Sequence, residues 1–321
     1  MAAIGLTSDK NLSIMVLFYG QTEVLTWIKR IHTWRRGGEP MHLERIDLYN
    51  YFQYSPPRGA SATLQVLSPT ILSLGEEKRR RPAVLILPGG GYGHVSPREA
   101  EPVALHFAAK GYATFTLNYS CAPHPFPVAL REAAMAMRYI RTNAEAFSIH
   151  PGMVAAVGFS AGGHLCGTLG TLFDAPEVAD IAAGYLLRPD ALGLCYPVAV
   201  SWGRTHEGSF QNLTMGDEAL RSRLSLEKLV RSDMPPVFLW HTRQDASVPC
   251  RNSLILAAAL EEADVSFALH IYHTGPHGLS VADETVYTAS SIPAISRDVP
   301  CWMDSMMDYF RELGFCITNW E

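Results

Sequence analysis

Gly158-Phe159-Ser160-Ala161-Gly162-Gly163-His164 follows a short apolar run, Met153-Val154-Ala155-Ala156-Val157, and leads into Leu165-Cys166-Gly167-Thr168-Leu169, which can continue as a packed helix. An apolar run of this length suits a strand buried on both faces of a parallel sheet. The five residues from Gly158 to Gly162 fit G-x-S-x-G, the pattern of a sharp strand-to-helix turn that lifts a serine hydroxyl clear of the sheet. Three fixed positions, with glycine and serine each near 7% of residues, match by chance about 0.1 times in a chain of this size. The strand before and the helix after are therefore what give the motif its weight. A packing role alone for the glycines is the competing reading.

Outward from this point the chain alternates strands and helices. Leu43 to Tyr49 and Ala62 to Leu67 read as two strands of an antiparallel sheet edge, separated by the turn-rich Ser55-Pro56-Pro57-Arg58-Gly59. Ala83 to Leu87 is a continuous apolar strand that runs into Pro88-Gly89-Gly90-Gly91-Tyr92-Gly93. A helix should follow, with Ser96 as N-cap, Pro97 at the first helical position and Glu99 closing a capping box. Tyr112 to Leu117 reads as the next strand, and Val128 to Ala146 has helical spacing through Leu130, Ala134, Met137 and Ile140. Beyond the elbow, Ala191 to Tyr196, Val237 to Trp240 and Phe267 to Ile271 read as three more strands, with a helix over Ser253 to Ala263 between the last two. This order predicts an α/β fold in a single domain, with a mostly parallel central sheet and helices on both faces.

The domain pattern starts at Met41, so the expected division is an extension over residues 1–40 and a catalytic domain over 41–321. The apolar run from Leu12 to Tyr19 is too short to span a bilayer and lacks a small-x-small cleavage site after it. A chain beginning at Met41, read as a candidate natural start, is expected to fold and keep its activity. Ser201 to Asp233 is longer and more polar than an ordinary connection and is read as a lid or pocket wall.

A serine at its own pKa is a poor nucleophile and needs a base and a group to orient that base. Asp245 follows the strand that ends at Trp240, and His277 lies in Gly275-Pro276-His277-Gly278 after the strand that ends near Ile271. Both sit past the carboxyl ends of parallel strands, where ligand crevices form in open α/β sheets. The chain order Ser160, Asp245, His277 makes His277 the candidate base and Asp245 its orienting acid. His241 is a rival base that should brace the loop instead. Asp217 lies in the polar insertion, and Asp283 follows His277 and breaks the order. The amides of Gly90 and Gly91, together with that of Ala161, are the candidate oxyanion hole. Tyr92, His94, Trp202 and Trp240 lie near strand ends and are candidate substrate-lining residues.

Other classes fit the composition less well. A net charge of −5 gives no footprint for nucleic acid, and the short run Lys78-Arg79-Arg80-Arg81 reads as a solvated loop. The glycine loop matches neither phosphate-binding pattern, since Gly89-Gly90-Gly91-Tyr92-Gly93-His94 ends in histidine. The six cysteines, at 121, 166, 195, 250, 301 and 316, show no C-x-x-C pairing and read as free thiols. His270 and His273 lack a third ligand at usable spacing, so no metal is expected, and the chemistry above calls for no cofactor.

These stretches resemble the esterase and lipase branch of the α/β-hydrolase superfamily, the hormone-sensitive-lipase-like branch that carries an HGGG-type loop. Leu87-Pro88-Gly89-Gly90-Gly91-Tyr92 departs from it, because Pro88 stands where the loop histidine would be and must change the loop's bracing. The variant looks like bacterial acetyl xylan esterases and bifunctional feruloyl and acetyl esterases over about residues 41–315. The resemblance implies hydrolysis of short acyl esters, including acetyl groups on plant polysaccharide or xylo-oligosaccharide. An amidase or peptidase on the same fold and a noncatalytic ligand-binding relative are the alternatives. No substrate-selecting propeller is expected before the domain, which disfavours the former. The expected partner is a small-molecule or oligosaccharide ester in the cytoplasm, with no nucleic acid and no membrane. Activity should fall as His277 takes up a proton, around pH 6 to 7 for an ordinary histidine.

Overall fold

The computed structural model describes residues 41–71, 79–288 and 295–319, so the expected 1–40 extension and its apolar run lie outside it. Strand β1 (His42–Asp47) pairs antiparallel with β2 (Thr63–Ser68), in which Leu64 and Val66 face the core on alternate positions. The first strand ends earlier than its apolar pattern suggests. Asp47 caps a short helix, α1 (Leu48–Phe52), by accepting a hydrogen bond from the Asn50 amide at 3.0 Å, and this turns the chain away from the sheet.

Strands β3 (Arg79–Leu87) and β4 (Ala113–Asn118) are followed by β5 (Ile149–Phe159), β6 (Ala191–Cys195), β7 (Val237–Thr242) and β8 (Phe267–Tyr272). The order across the sheet is β1-β2-β4-β3-β5-β6-β7-β8, with β2 antiparallel to β4 and the strands from β4 to β8 parallel. The central strands are apolar at consecutive positions because both faces are covered. Ala83, Leu85 and Leu87 enter one core, while Val84 and Ile86 enter the other. The first core takes Leu130 and Ala134 of α3 (Val128–Thr142) and Leu165 and Leu169 of α4 (Ala161–Thr171). The second takes Val103 and Phe107 of α2 (Glu101–Ala109). Each large side chain so buried contributes roughly 1.5–3 kcal/mol before conformational entropy is counted.

The chain leaves β3 for β4 on one side and returns to β5 on the other, so a topological switch point lies between β3 and β5. Open α/β sheets place their ligand crevice at such a point, beyond the carboxyl ends of the strands. Here that end carries the Gly89–Gly91 loop after β3 and Ser160 after β5.

Two expectations fail in the sheet. Arg79 to Arg81 are not a solvated loop: they begin β3, where Arg79 and Arg80 pair with a short strand at Thr318–Asn319. Arg81 is buried, donates to the Pro69 carbonyl, and has its pKa lowered to about 10 by that burial. Trp240 does not line a pocket either. It is fully buried and stacks on Trp302 at 5.1 Å.

The segment from Ser201 to Asp233 is packed rather than open connection. It carries α5 (Glu207–Thr214), α6 (Glu218–Arg223) and α7 (Leu226–Leu229), and Phe210, Leu213, Leu224 and Leu226 are buried. Beyond it come α8 (Arg251–Glu262) and α9 (Trp302–Glu312), the latter closing the second core with Trp302, Met306 and Phe310. The cysteines are free, with Cys166, Cys195 and Cys250 buried and Cys301 and Cys316 exposed. Among the described residues no helix is long and apolar enough to cross a membrane.

Candidate active site

Ser160 sits between β5 and α4 with φ 53° and ψ −118°, a backbone conformation unusual for a non-glycine residue. The turn is held from several sides. The Ser160 amide donates to Cys195 O at 3.0 Å, while the Ser160 carbonyl accepts from Val198 N at 3.0 Å and His164 N at 3.1 Å. Gly162 makes the turn sterically feasible, since a Cβ there would overlap the carbonyl oxygens of Leu87 and Pro88 at the end of β3.

Asp245 and His277, far apart in sequence, meet Ser160 through the loops after β7 and β8. His277 Nε2 lies 2.8 Å from Ser160 Oγ, and His277 Nδ1 lies 2.6 Å from Asp245 Oδ2. With Nδ1–H donating to the carboxylate, Nε2 is the acceptor for the serine proton. The other oxygen, Asp245 Oδ1, accepts from the amides of Ser247 at 2.9 Å and Val248 at 2.8 Å. Burial alone would raise the Asp245 pKa, but hydrogen bonds from His241 and His277 outweigh it and hold the carboxyl well below the usual carboxylate range. His277 is partly open to solvent, and the Asp245 side chain is not.

His241, the rival base, is turned into its own loop. Its Nδ1 is 2.7 Å from Ser253 Oγ, and its Nε2 is 2.8 Å from Val248 O and 3.3 Å from Asp245 Oδ2. It is fully buried and braces the carboxylate.

The glycine loop is tight. Gly90 has φ 124°, and a Cβ on it would overlap the His94 carbonyl oxygen, so only glycine fits. Among the described residues the Gly90 and Gly91 amides enter no hydrogen bond of the fold. Ala161 begins α4, where an amide has no intrahelical acceptor. The bracing that a loop histidine would supply comes from elsewhere. Tyr119 Oη donates to Pro88 O at 2.6 Å, and Asn212 Nδ2 donates to Gly91 O at 2.9 Å.

Glu99 corrects a misreading. The S-x-x-E spacing does not form a capping box: Ser96 makes no side-chain cap, Pro97–Glu99 is a single 3₁₀ turn, and α2 begins only at Glu101. The Glu99 carboxylate points inward and accepts from the Gly89 amide at 2.8 Å.

The expected lining residues divide. Tyr92 is 3% exposed, with its hydroxyl 2.9 Å from His164 Nδ1, so its side chain supports the loop from below and does not line a pocket. His164 Nε2 donates to Leu224 O at 2.7 Å, and burial lowers its pKa to about 4, which keeps the ring neutral. His94 is exposed, and its amide closes the turn onto Gly90 O at 3.3 Å. Trp202 is 46% exposed, donates Nε1–H to Glu227 Oε1 at 2.8 Å, and carries Arg251 over its ring at 5.2 Å. His206 is one residue that the sequence did not single out. It caps α5 through Nδ1, its ring lies 3.4 Å from where a Cβ on Gly91 would sit, and its pKa is lowered by burial and by His277. It stands in the polar insertion with no strand end to mark it.

Known proteins share this arrangement of elements. A crystal structure of an acetyl ester-xyloside bifunctional hydrolase from Caldicellulosiruptor lactoaceticus superposes with a TM-score of 0.73 at 35% identity, covering 85% of this chain and 97% of that one. The chain belongs to the α/β-hydrolase superfamily. Within this superfamily it resembles the acetyl xylan esterases. A family model described as BD-FAE matches residues 71–186, and one described as the prolyl oligopeptidase family matches residues 136–294. Endo-1,4-beta-xylanase B of Butyrivibrio fibrisolvens is 37% identical over 226 residues, which is 66% of this chain and 34% of that protein. An acetylxylan esterase of Xylanibacter ruminicola is 28% identical over 249 residues, 71% of this chain and 50% of that protein. This α/β-hydrolase thus spans about a third and half of the lengths of those two relatives.

Proposed function

We propose that this α/β-hydrolase is a serine carboxylesterase that removes short acyl groups, acetyl above all, from a carbohydrate or other small-molecule alcohol. The observation that carries the reading is the unbroken chain from Ser160 Oγ to His277 Nε2 at 2.8 Å and from His277 Nδ1 to Asp245 Oδ2 at 2.6 Å. Ser160 Oγ attacks the ester carbonyl while His277 Nε2 takes its proton. The resulting oxyanion is held by the amides of Gly90, Gly91 and Ala161. Collapse breaks the carbonyl–alkoxide bond, His277 protonates the departing alcohol, and an acyl-Ser160 ester remains. Water then attacks this ester with His277 again as base, releasing the acid. Asp245, kept ionised by its hydrogen bonds, fixes the histidine tautomer and stabilises the imidazolium.

The substrate class leans on the acetyl ester-xyloside hydrolase and the acetylxylan esterase to which the chain is similar. Residues 201–233 serve in this proposal as a wall of the pocket, with Trp202 on its rim. An amidase or peptidase is the second reading, favoured by the match of residues 136–294 to the prolyl oligopeptidase family.

The test is hydrolysis of p-nitrophenyl acetate, butyrate and octanoate by the wild type and Ser160→Ala, with acetylated xylo-oligosaccharide and a p-nitroanilide in parallel. A short-chain preference lost by about 10³-fold or more in the variant is the expected result. Equal activity of the two proteins overturns the serine mechanism, and cleavage of the anilide alone transfers the proposal to the amidase.

A further inference from the structure

Glu99 is 3% exposed, and a buried carboxylate is costly unless donors satisfy it. Its two oxygens are held by two different parts of the site. Oε2 accepts from the Gly89 amide at 2.8 Å, in the loop after β3, and Oε1 accepts from the Tyr196 hydroxyl at 2.7 Å, just after β6. The Tyr196 oxygen in turn accepts from the Ser280 amide at 2.9 Å, three residues beyond His277, and the Tyr196 ring stands edge-on to His277 at 5.1 Å. The 3₁₀ turn that carries Glu99 is tied to the same loop, since Ser280 Oγ donates to Arg98 O.

The carboxylate also lies close to the reacting groups. A Cβ placed on Gly89 would fall 2.7 Å from Glu99 Oε2 and 2.9 Å from the Ser160 Cβ, while one placed on Gly278 would fall 4.0 Å from Glu99 Oε1. One buried anion therefore stands under the junction of three segments: the glycine loop, the elbow and the loop that carries His277. No helix cap accounts for it, and an apolar side chain of similar size would fill the space without stranding a charge.

We propose that Glu99 is a positioning residue that locks the Gly89–Gly91 loop and the His277 loop into one frame, so that oxyanion donors and base keep register with Ser160. The inference rests on the serine-esterase reading. It makes Tyr196 a relay: its hydroxyl passes the constraint from the carboxylate to the Ser280 amide. Sub-ångström registration is what such a frame protects, and misplacement by about 1 Å costs up to about 10²-fold in rate.

Glu99→Gln keeps the shape but leaves one of the two donors facing an amide NH₂. On p-nitrophenyl acetate it should lower kcat by about 10- to 100-fold and leave KM within about threefold. Affinity for a short alkylboronic acid, which forms a tetrahedral adduct on the serine, should fall by the same factor as kcat. Tyr196→Phe should lower kcat by a smaller factor, and the double variant should be no slower than Glu99→Gln, because both act through one chain of hydrogen bonds. Should Glu99→Gln not fold, Tyr196→Phe carries the test alone through its kcat and boronic acid affinity. A folded Glu99→Gln, or failing that Tyr196→Phe, with kcat and boronic acid affinity within twofold of wild type overturns the proposal. So do single effects that multiply in the double variant, or a loss confined to KM. Hydrolysis that survives Ser160→Ala overturns the esterase reading itself; hydrolysis that requires Ser160 and is indifferent to Glu99 overturns this proposal alone.

Discussion

The groups around Ser160 and the groups of the segment 201–233 are both polar, yet they are anchored in different ways. Asp245 accepts from two amides and from His277, is braced by His241, and has no exposed side-chain surface. In the segment, Arg221 reaches Glu207 at 2.7 Å and Arg223 reaches Glu177 at 2.5 Å, each pair with one partner roughly half exposed or more. Exposed ion pairs of this kind contribute about 0–1 kcal/mol each. The difference teaches where tolerance should lie: the strand ends hold a geometry that any disturbance degrades, and the outer, ion-paired face of the segment can change without unmaking it. His164 joins the two regions, since its ring touches Tyr92 under the glycine loop on one side and Leu224 of the segment on the other.

The sharpest way to break this contrast is at Gly162. Gly162→Val should cost more than about 3 kcal/mol, because a side chain there must displace the carbonyl oxygens of Leu87 and Pro88 from the end of β3. Urea unfolding of the purified variant measures it, and a loss below 1 kcal/mol would mean that the elbow is far more yielding than its packing implies.

Next in size is an acid effect at His164. Burial pulls its folded pKa from about 6.5 to about 4, so the unfolded chain takes up the proton first as pH falls. Its contribution is fully present above pH 6.5 and is lost as pH drops toward 4. That shift corresponds to about 3 kcal/mol. The difference in unfolding free energy between wild type and His164→Gln, followed from pH 7.5 to 4, should slope across that window. A difference that stays constant with pH would show that His164 does not set the acid sensitivity of the seam between the two regions.

The smallest effect belongs to the exposed side. Trp202→Ala should raise KM for an acetylated xylo-oligosaccharide by about 3- to 10-fold, with kcat held within about twofold. A fall in kcat at constant KM would erase the distinction between the regions by drawing Trp202 into the chemistry.

The parts of this architecture that depend on neighbours in sequence were the readable ones. Apolar runs such as Ala83 to Leu87 and Val154 to Val157 do form central strands, and Ser160, Asp245 and His277 stand after β5, β7 and β8, with His277 bonded to both of the others. The misreadings share a cause, which is that a distant partner decides the role. Glu99 has the spacing of a capping box, but Gly89 and Tyr196 claim its carboxylate. Arg79 to Arg81 look like a solvated run until Asn319 and Thr318, far along the chain, pair with Arg79 and Arg80, and Ile149 pairs with Arg81. Trp240 lies near a strand end, and Trp302 covers it. Helix α9 was within reach, because Trp302, Met303, Met306, Met307 and Phe310 repeat at helical spacing and all face the second core.

The central claim is that Ser160 is a nucleophile activated by His277, and covalent labelling tests it most directly. The wild type is treated with an alkyl fluorophosphonate, digested, and mapped by mass spectrometry beside His277→Ala. The account predicts one adduct per chain on the peptide that holds Ser160, formed at least about 10³-fold more slowly in the variant. An adduct on another residue, or labelling of Ser160 at the same rate without His277, would contradict it.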